Sequence, residues 1–194
     1  MTAFVHLRLH TEYSLVDSVV RIADLVERVA GQGMPAVAVT DQNNLFAMVK
    51  FYKAAMEKGV KPIIGVDLLI AEPGERSPPS RIALLCQNEL GYRNLTRLVS
   101  RAYLEGQQRG LPRIERSWLD VASTQGLIAL SCGAEGDVGR ALLAGKTSEA
   151  QRALDFWCAL FGDRYYLEVS RLGREDEERL LASTASLALA TGVP

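Results

Sequence analysis

The chain has 194 residues, 48% of them hydrophobic, which is enough for one substantial core and a single domain spanning residues 1–194. Lysine and arginine total 22 against 23 acidic residues, and a net charge of -1 excludes a broad electrostatic pull toward nucleic acid. Three scattered cysteines, Cys86, Cys132 and Cys158, argue against a structural zinc cluster, and no leader pattern or 18-residue apolar run is present, so a cytoplasmic protein without membrane contact is expected.

The run from Phe4 to His10 reads as a strand, with His6, Arg8 and His10 on one face and Val5, Leu7 and Leu9 on the other. A row of imidazoles on one strand face opens many metal-dependent hydrolases, and here an arginine stands between the only two histidines. Asp17-Ser18 predicts the N-cap of a helix with Ile22, Leu25, Val26 and Val29 on one face, stopping at Gly31-Gln32-Gly33. Residues 35–40 read as a buried strand. Asn43 or Asn44 then caps a helix carrying Leu45, Met48, Val49, Tyr52 and Met56, which ends at Gly59.

Residues 61–70 form the next predicted strand, 73–80 a loop, and 81–86 another strand. A helix over 89–105 turns Leu95, Leu98, Val99 and Ala102 inward, and strands at 126–131 and 164–169 are each followed by helix. The last helical pattern, 175–190, stops at Thr191-Gly192. Val193-Pro194 then looks like the first step of a further strand, so the chain reads as a piece of a longer one. Strand-helix alternation predicts an α/β fold with a parallel sheet, doubly wound or closed into a barrel, and a site at the C-terminal strand ends.

Polar residues expected at those ends are His10, Asp17, Asp41, Asp67 and Glu168. Asp41 follows directly from an apolar strand, and Asp67 is an isolated carboxylate inside one, where an unpaired charge is costly and a partner or ligand is implied. The plainer alternative makes Asp41 a helix cap and Asp67 half of an ion pair. The stretch Gly139 to Thr147 imitates a phosphate-binding loop but separates its glycines by five residues instead of four. Gly133, Gly136 and Gly139 fit a tight strand-to-helix turn better than a dinucleotide site.

Four ordered motifs resemble the N-terminal PHP (polymerase and histidinol phosphatase) domain of bacterial replicative DNA polymerase III alpha subunits. They are His6-Leu7-Arg8-Leu9-His10-Thr11-Glu12-Tyr13-Ser14-Leu15-Val16-Asp17, Ala38-Val39-Thr40-Asp41-Gln42-Asn43-Asn44-Leu45, Lys61-Pro62-Ile63-Ile64-Gly65-Val66-Asp67, and the stretch from Gly91 to Tyr103. The resemblance implies a distorted TIM-like (β/α)7 PHP barrel, here truncated before its last strands. Metal-binding members of the superfamily hold zinc or manganese and hydrolyse phosphoesters. Their pattern places histidines at Arg8 and His10, an aspartate at Asp17, a histidine at Gln42, a glutamate at Asp67, a histidine at Arg81, a cysteine near Gly133 and a histidine at Leu172. His6 lies outside it.

On that resemblance, Arg8, His10, Asp17, Asp41, Gln42, Asp67 and Arg81 line a vestigial cleft with no catalytic residue and no metal. Arginine lacks a lone pair for a metal, so Arg8 and Arg81 delete ligands and place cations beside Asp17 and Asp67. The resemblance implies a scaffold within a DNA-directed DNA polymerase. Its expected partners are the remaining polymerase domains, the proofreading exonuclease subunit, other replicase subunits and primer-template DNA. Mg²⁺ is expected only in the parent polymerase's own site. The alternative is a working metal-dependent phosphoesterase, an exonuclease or pyrophosphatase, using Zn²⁺ or Mn²⁺.

Overall fold

The computed structural model describes residues 4–15, 17–71 and 78–194. In chain order its regular elements are α1 (Ile22–Gly31), β1 (Ala36–Val39), α2 (Met48–Glu57), β2 (Lys61–Ile70), β3 (Ser80–Cys86), α3 (Glu89–Leu104), β4 (Gln107–Gln108) and β5 (Leu111–Pro112). There follow α4 (Val121–Thr124), β6 (Leu127–Leu130), α5 (Asp137–Leu143), α6 (Thr147–Phe161), β7 (Tyr165–Tyr166) and α7 (Glu177–Thr191). Most of the loop expected over 73–80 lies outside the described residues.

A five-stranded sheet runs in the order β1-β2-β3-β6-β7, and β4 and β5 form a separate two-stranded ribbon. β1 and β2 pair parallel, as do β6 and β7, whereas β3 is antiparallel to both β2 and β6. The sheet is therefore mixed, parallel-rich as the strand-helix alternation indicates, with β3 alone running against the other four. The reason is local: only nine residues, 71–79, join β2 to β3, fewer than the dozen or more that a parallel crossover needs, so the chain returns antiparallel.

The opening strand is also corrected. Residues 4–10 form only an isolated parallel bridge, His6 to Val37, beside β1. Ala38 donates its N–H to the His6 carbonyl and Thr40 to the Leu9 carbonyl, both at 2.8 Å. Two residues on β1 thus span three on this segment, a bulge that breaks strict alternation. Leu7 is left 45% exposed, and His6 faces outward with its ring edge-on to Phe4 at 4.8 Å.

Ile22, Leu25, Val26 and Val29 of α1 pack on β1 and α2 residues as predicted, and α3 buries Leu95, Leu98 and Ala102. The larger core gathers Val66, Leu68, Ile82 and Leu84 from the sheet with Leu154, Trp157 and Phe161 from α6. Trp157 stacks on Tyr165 and donates its indole N–H to Asp137 at 2.9 Å, so the largest buried ring keeps its polar atom satisfied. α2 differs from expectation: Ala47, Phe51 and Ala55 face the core, and Val49, Tyr52 and Met56 face solvent. The glycines after β6 behave as a tight turn, since a Cβ on Gly136 would overlap the Ser131 carbonyl and one on Gly139 that of Gly133.

α7 ends at Gly192 in the left-handed conformation, and the Leu167 N–H donates to the Pro194 carbonyl at 2.7 Å. Among the described residues no helix is long and apolar enough to cross a membrane.

Candidate functional site: an arginine-centred carboxylate cleft

The bulge that ejects His6 and Leu7 restores alternation at residues 8–10. Leu9 packs among the α1, β1 and α2 side chains, and Arg8 and His10 turn to the opposite side, over Asp67 of β2. There the Arg8 guanidinium meets three carboxylates. Its Nε donates to Asp67 Oδ2 at 2.8 Å, its Nη1 to Glu168 Oε1 at 3.2 Å, and its Nη2 to Glu135 Oε2 at 2.6 Å. These acceptors come from within β2, from the chain after β7 and from the turn after β6, so one side chain ties together three separate parts of the sheet.

His10 closes the second half of the cleft. Its Nε2 lies 2.8 Å from Asp67 Oδ2 and its Nδ1 3.0 Å from Asp17 Oδ2. Arg81, on β3, is held more loosely, with Nη1 3.8 Å from Asp17 Oδ2 and 3.5 Å from Glu135 Oε1, and Nη2 donating to Gln42 Oε1 at 3.5 Å. Asp17 is thus an ion-pairing residue and not a helix cap. Ser18 also serves the loop, donating to the His10 carbonyl at 2.7 Å, and α1 begins at Ile22 without a side-chain cap.

Asp41 does something else. Its carboxylate is buried and accepts hydrogen bonds from the Thr11 N–H at 2.6 Å, the Thr11 hydroxyl at 2.7 Å and the Ser14 hydroxyl at 2.7 Å. Its side chain anchors the 11–14 turn and makes no contact with Arg8 or His10, while its carbonyl accepts from the Asp67 N–H at 3.2 Å beside the cleft; it is not a helix cap, since α2 is capped at Ala47. The segment after it continues along β2: Asn43 donates its N–H to the Asp67 carbonyl, accepts from the Leu69 N–H, and adopts φ 54°. Asparagine tolerates that left-handed conformation better than most residues. Asn44 makes a local turn, accepting from the Phe46 N–H, and α2 starts only at Met48.

The sequence reading brought Arg8, His10, Asp17, Gln42, Asp67 and Arg81 to one place. It missed Glu135 and Cys132 and left the role of Glu168 unspecified. Cys132 is buried at φ 58° next to Gly133, and burial, reinforced by the Asp67 charge, pushes its thiol well above the usual range. Glu135 lay in a segment read only as a glycine turn, three residues after Cys132, and nothing local marked it. Leu172 is exposed.

The ionisation of the cleft follows from this packing. Burial opposes charge on Asp67, which is 0% exposed, but the His10 hydrogen bond and the Arg8 charge overcome it and hold the carboxyl below its ordinary value. Burial also works against the charge of Arg8, and Asp67 and Glu168 more than compensate, so the guanidinium stays charged. His10 is likewise raised: desolvation is outweighed by its hydrogen bond to Asp67 and by the charges of Asp67 and Asp17. Glu168 is raised chiefly by burial, which the Arg8 charge offsets only in part.

These directions fix a pH profile. A raised His10 stabilises the fold fully below the ordinary histidine value of about 6.5 and loses that contribution as pH climbs through its folded value. A raised Glu168 acts in the same direction from about 4.3 upward, and a lowered Asp67 contributes above about 3.9 and is lost below it. Unfolding in urea across a pH series is expected to show greatest stability on the mildly acidic side, declining toward pH 8. His10→Gln should flatten the decline that begins near neutrality. An unchanged slope in that variant would remove His10 as its cause.

A metal does not fit this donor set as it stands. Guanidinium nitrogens occupy the space between the three carboxylates at hydrogen-bonding distance, and Asp67 Oδ2 and His10 Nε2 are engaged with each other. Among the described residues no group of three or more histidine, cysteine, aspartate or glutamate side chains is arranged to hold an ion.

Residues 6–172 match the model of the PHP domain family. The chain is 51% identical over 192 residues to the DNA polymerase III subunit alpha of Pseudomonas fluorescens, covering 99% of this chain and 16% of that protein. It is 44% identical over 191 residues to the corresponding subunit of Escherichia coli K12, covering 98% and 16%. The chain therefore spans about one-sixth of the length of these relatives. A solved structure from Bifidobacterium adolescentis, described as a candidate metal-dependent phosphoesterase, superposes with a TM-score of 0.61 at 12% identity, covering 96% of this chain and 84% of that one. That likeness concerns the fold. The chain belongs to the PHP domain family, and within that family its sequence matches the domain carried by DNA polymerase III alpha subunits.

Proposed function

We propose that this chain is a non-hydrolytic PHP domain of a replicative DNA polymerase, in which the Arg8 guanidinium does the structural work that a metal ion would do in a hydrolytic relative. The observation that carries this reading is the contact of one guanidinium with Asp67, Glu135 and Glu168, carboxylates from three separate parts of the chain. A fixed cation neutralises buried carboxylates as a metal would, but it offers no open coordination site and cannot lower the pKa of a bound water. Phosphoester hydrolysis then has no electrophile here. The buried Cys132 thiol, held protonated, supplies no nucleophile either.

The domain serves as a scaffold for the polymerase body, in a cytoplasmic replicase, with the remaining polymerase domains as its immediate neighbours. The proofreading exonuclease subunit, the other replicase subunits and primer-template DNA are partners of that larger assembly, and Mg²⁺ belongs to its polymerase site. The same reading takes the sheet as part of a distorted (β/α)7 barrel. Supporting it, residues 4–10 extend the sheet beyond β1, and the Leu167–Pro194 hydrogen bond starts a pairing beyond β7. The cleft lining is then Arg8, His10, Asp17, Gln42, Asp67, Arg81, Glu135 and Glu168.

Metal analysis of the purified chain after exposure to Zn²⁺ and Mn²⁺ is expected to find far less than one ion per chain. Hydrolysis of bis-(p-nitrophenyl) phosphate with added Mn²⁺ should not exceed the protein-free rate. Stoichiometric metal, together with hydrolysis lost in Asp17→Asn or His10→Gln, would replace this reading with that of an active phosphoesterase.

A further inference from the structure

α2 has two apolar faces, and the fold uses one. Ala47, Phe51 and Ala55 fill the core beneath it. Phe46, just before the helix, and Val49, Tyr52 and Met56 within it are 65%, 57%, 49% and 56% exposed. Val49, Tyr52 and Met56, spaced three and four residues apart, line one side of the helix over about 10 Å, and Phe46 lies in the turn that leads into it. Single exposed apolar residues are ordinary, but three bulky ones on one helix face, with an exposed phenylalanine at the helix entrance, form the pattern of a contact surface. The surroundings add a charge. Residues 46–61 contain Lys50, Lys53, Lys58 and Lys61 against the single acid Glu57, in a chain whose net charge is -1. Lys50 already pairs with Glu12 at 3.5 Å, which leaves the excess on Lys53, Lys58 and Lys61.

We propose that the outer side of α2 docks an acidic amphipathic helix of a protein partner. The partner's apolar side chains lie along the Phe46–Val49–Tyr52–Met56 stripe, and its carboxylates meet the lysines at the rim. A nucleic acid backbone would gain nothing from valine, methionine and phenylalanine, and a bilayer would bury a broader face than one helix stripe. The surface shares no residue with the Arg8 cleft, so it stands or falls apart from the scaffold reading.

The test is selection of random peptides of about 12 residues, long enough to span the stripe as a helix, against the folded chain. Enriched peptides should be acidic, with apolar residues every third or fourth position. Val49→Glu and Met56→Glu should each weaken their binding about tenfold or more, and Lys53→Glu should weaken it as well. Unfolding midpoints of these variants should stay close to that of the parent chain, because the side chains are exposed. The proposal is overturned if no peptide is enriched, if the enriched peptides are basic, or if they bind the variants as well as the parent chain. Retention of the chain on phosphatidylglycerol vesicles through the same residues would also overturn it, in favour of a membrane surface.

Discussion

Arg8→Ala is expected to destabilise the chain by about 3–5 kcal/mol at neutral pH, read from urea unfolding, because it strips a buried carboxylate of its main cation. Asp67 is fully buried, the Arg8 side chain is 19% exposed, and the Nη2–Oδ2 separation is 2.7 Å, so solvent offers little replacement. Glu168 loses its partner in the same step, and Glu135, being more exposed, suffers least. The deficit should narrow as pH falls, since protonating Asp67 and Glu168 removes the charges that Arg8 neutralised. Arg8→Lys should recover only part of the loss, because one ammonium cannot present a planar fork to three acceptors on different elements. A change in Arg8→Ala within about 0.5 kcal/mol would mean that the guanidinium is effectively solvated and does not hold the cleft.

Asp41→Ala should cost about 3 kcal/mol or more for a different reason. It leaves the Thr11 N–H, the Thr11 hydroxyl and the Ser14 hydroxyl without their charged acceptor, in a place where Thr11 is wholly buried. Hydrogen exchange should quicken at residues 11–14, whose turn Asp41 pins. Asp41→Asn should fall between the two, since one amide oxygen can still accept while the other position becomes a donor facing donors. Rapid exchange throughout the Arg8 cleft, with the 11–14 turn still protected, would return Asp41 to the cleft and contradict its anchoring role.

The two variants separate what adjacent motifs do. Asp41 and Asp67 both follow or interrupt apolar strand sequences, and both read as buried carboxylates needing a partner. One proves to be a loop anchor satisfied by hydroxyls and a backbone amide, and the other the centre of an ionic network. Their sequence contexts could not distinguish them, because the deciding partners, Thr11 and Arg8, come from a segment about 30 and 59 residues away. The same limit applies to Glu135, which reaches Arg8 across 127 positions of sequence.

Strand and helix positions were largely legible because apolar periodicity and glycine stops are local signals. Lys61–Ile70 forms β2 and Glu89–Leu104 forms α3 almost as the pattern indicates, and Gly192 ends α7 as expected. α2 was legible as a helix, yet which face is buried was not. Both of its faces are apolar, and only packing against α1 and β1 selects Ala47, Phe51 and Ala55 for the core.

By itself, the sequence determined the family motifs and the α/β class. Tertiary structure alone decided that β3 runs backwards, that a bulge turns His6 outward while Arg8 and His10 turn inward, and that Glu135 and Glu168 complete the ring of acceptors. The physical reason is the range of the interactions. Helix and strand propensities are set by neighbours a few residues apart, whereas a buried charge is settled by whichever groups the fold delivers to it.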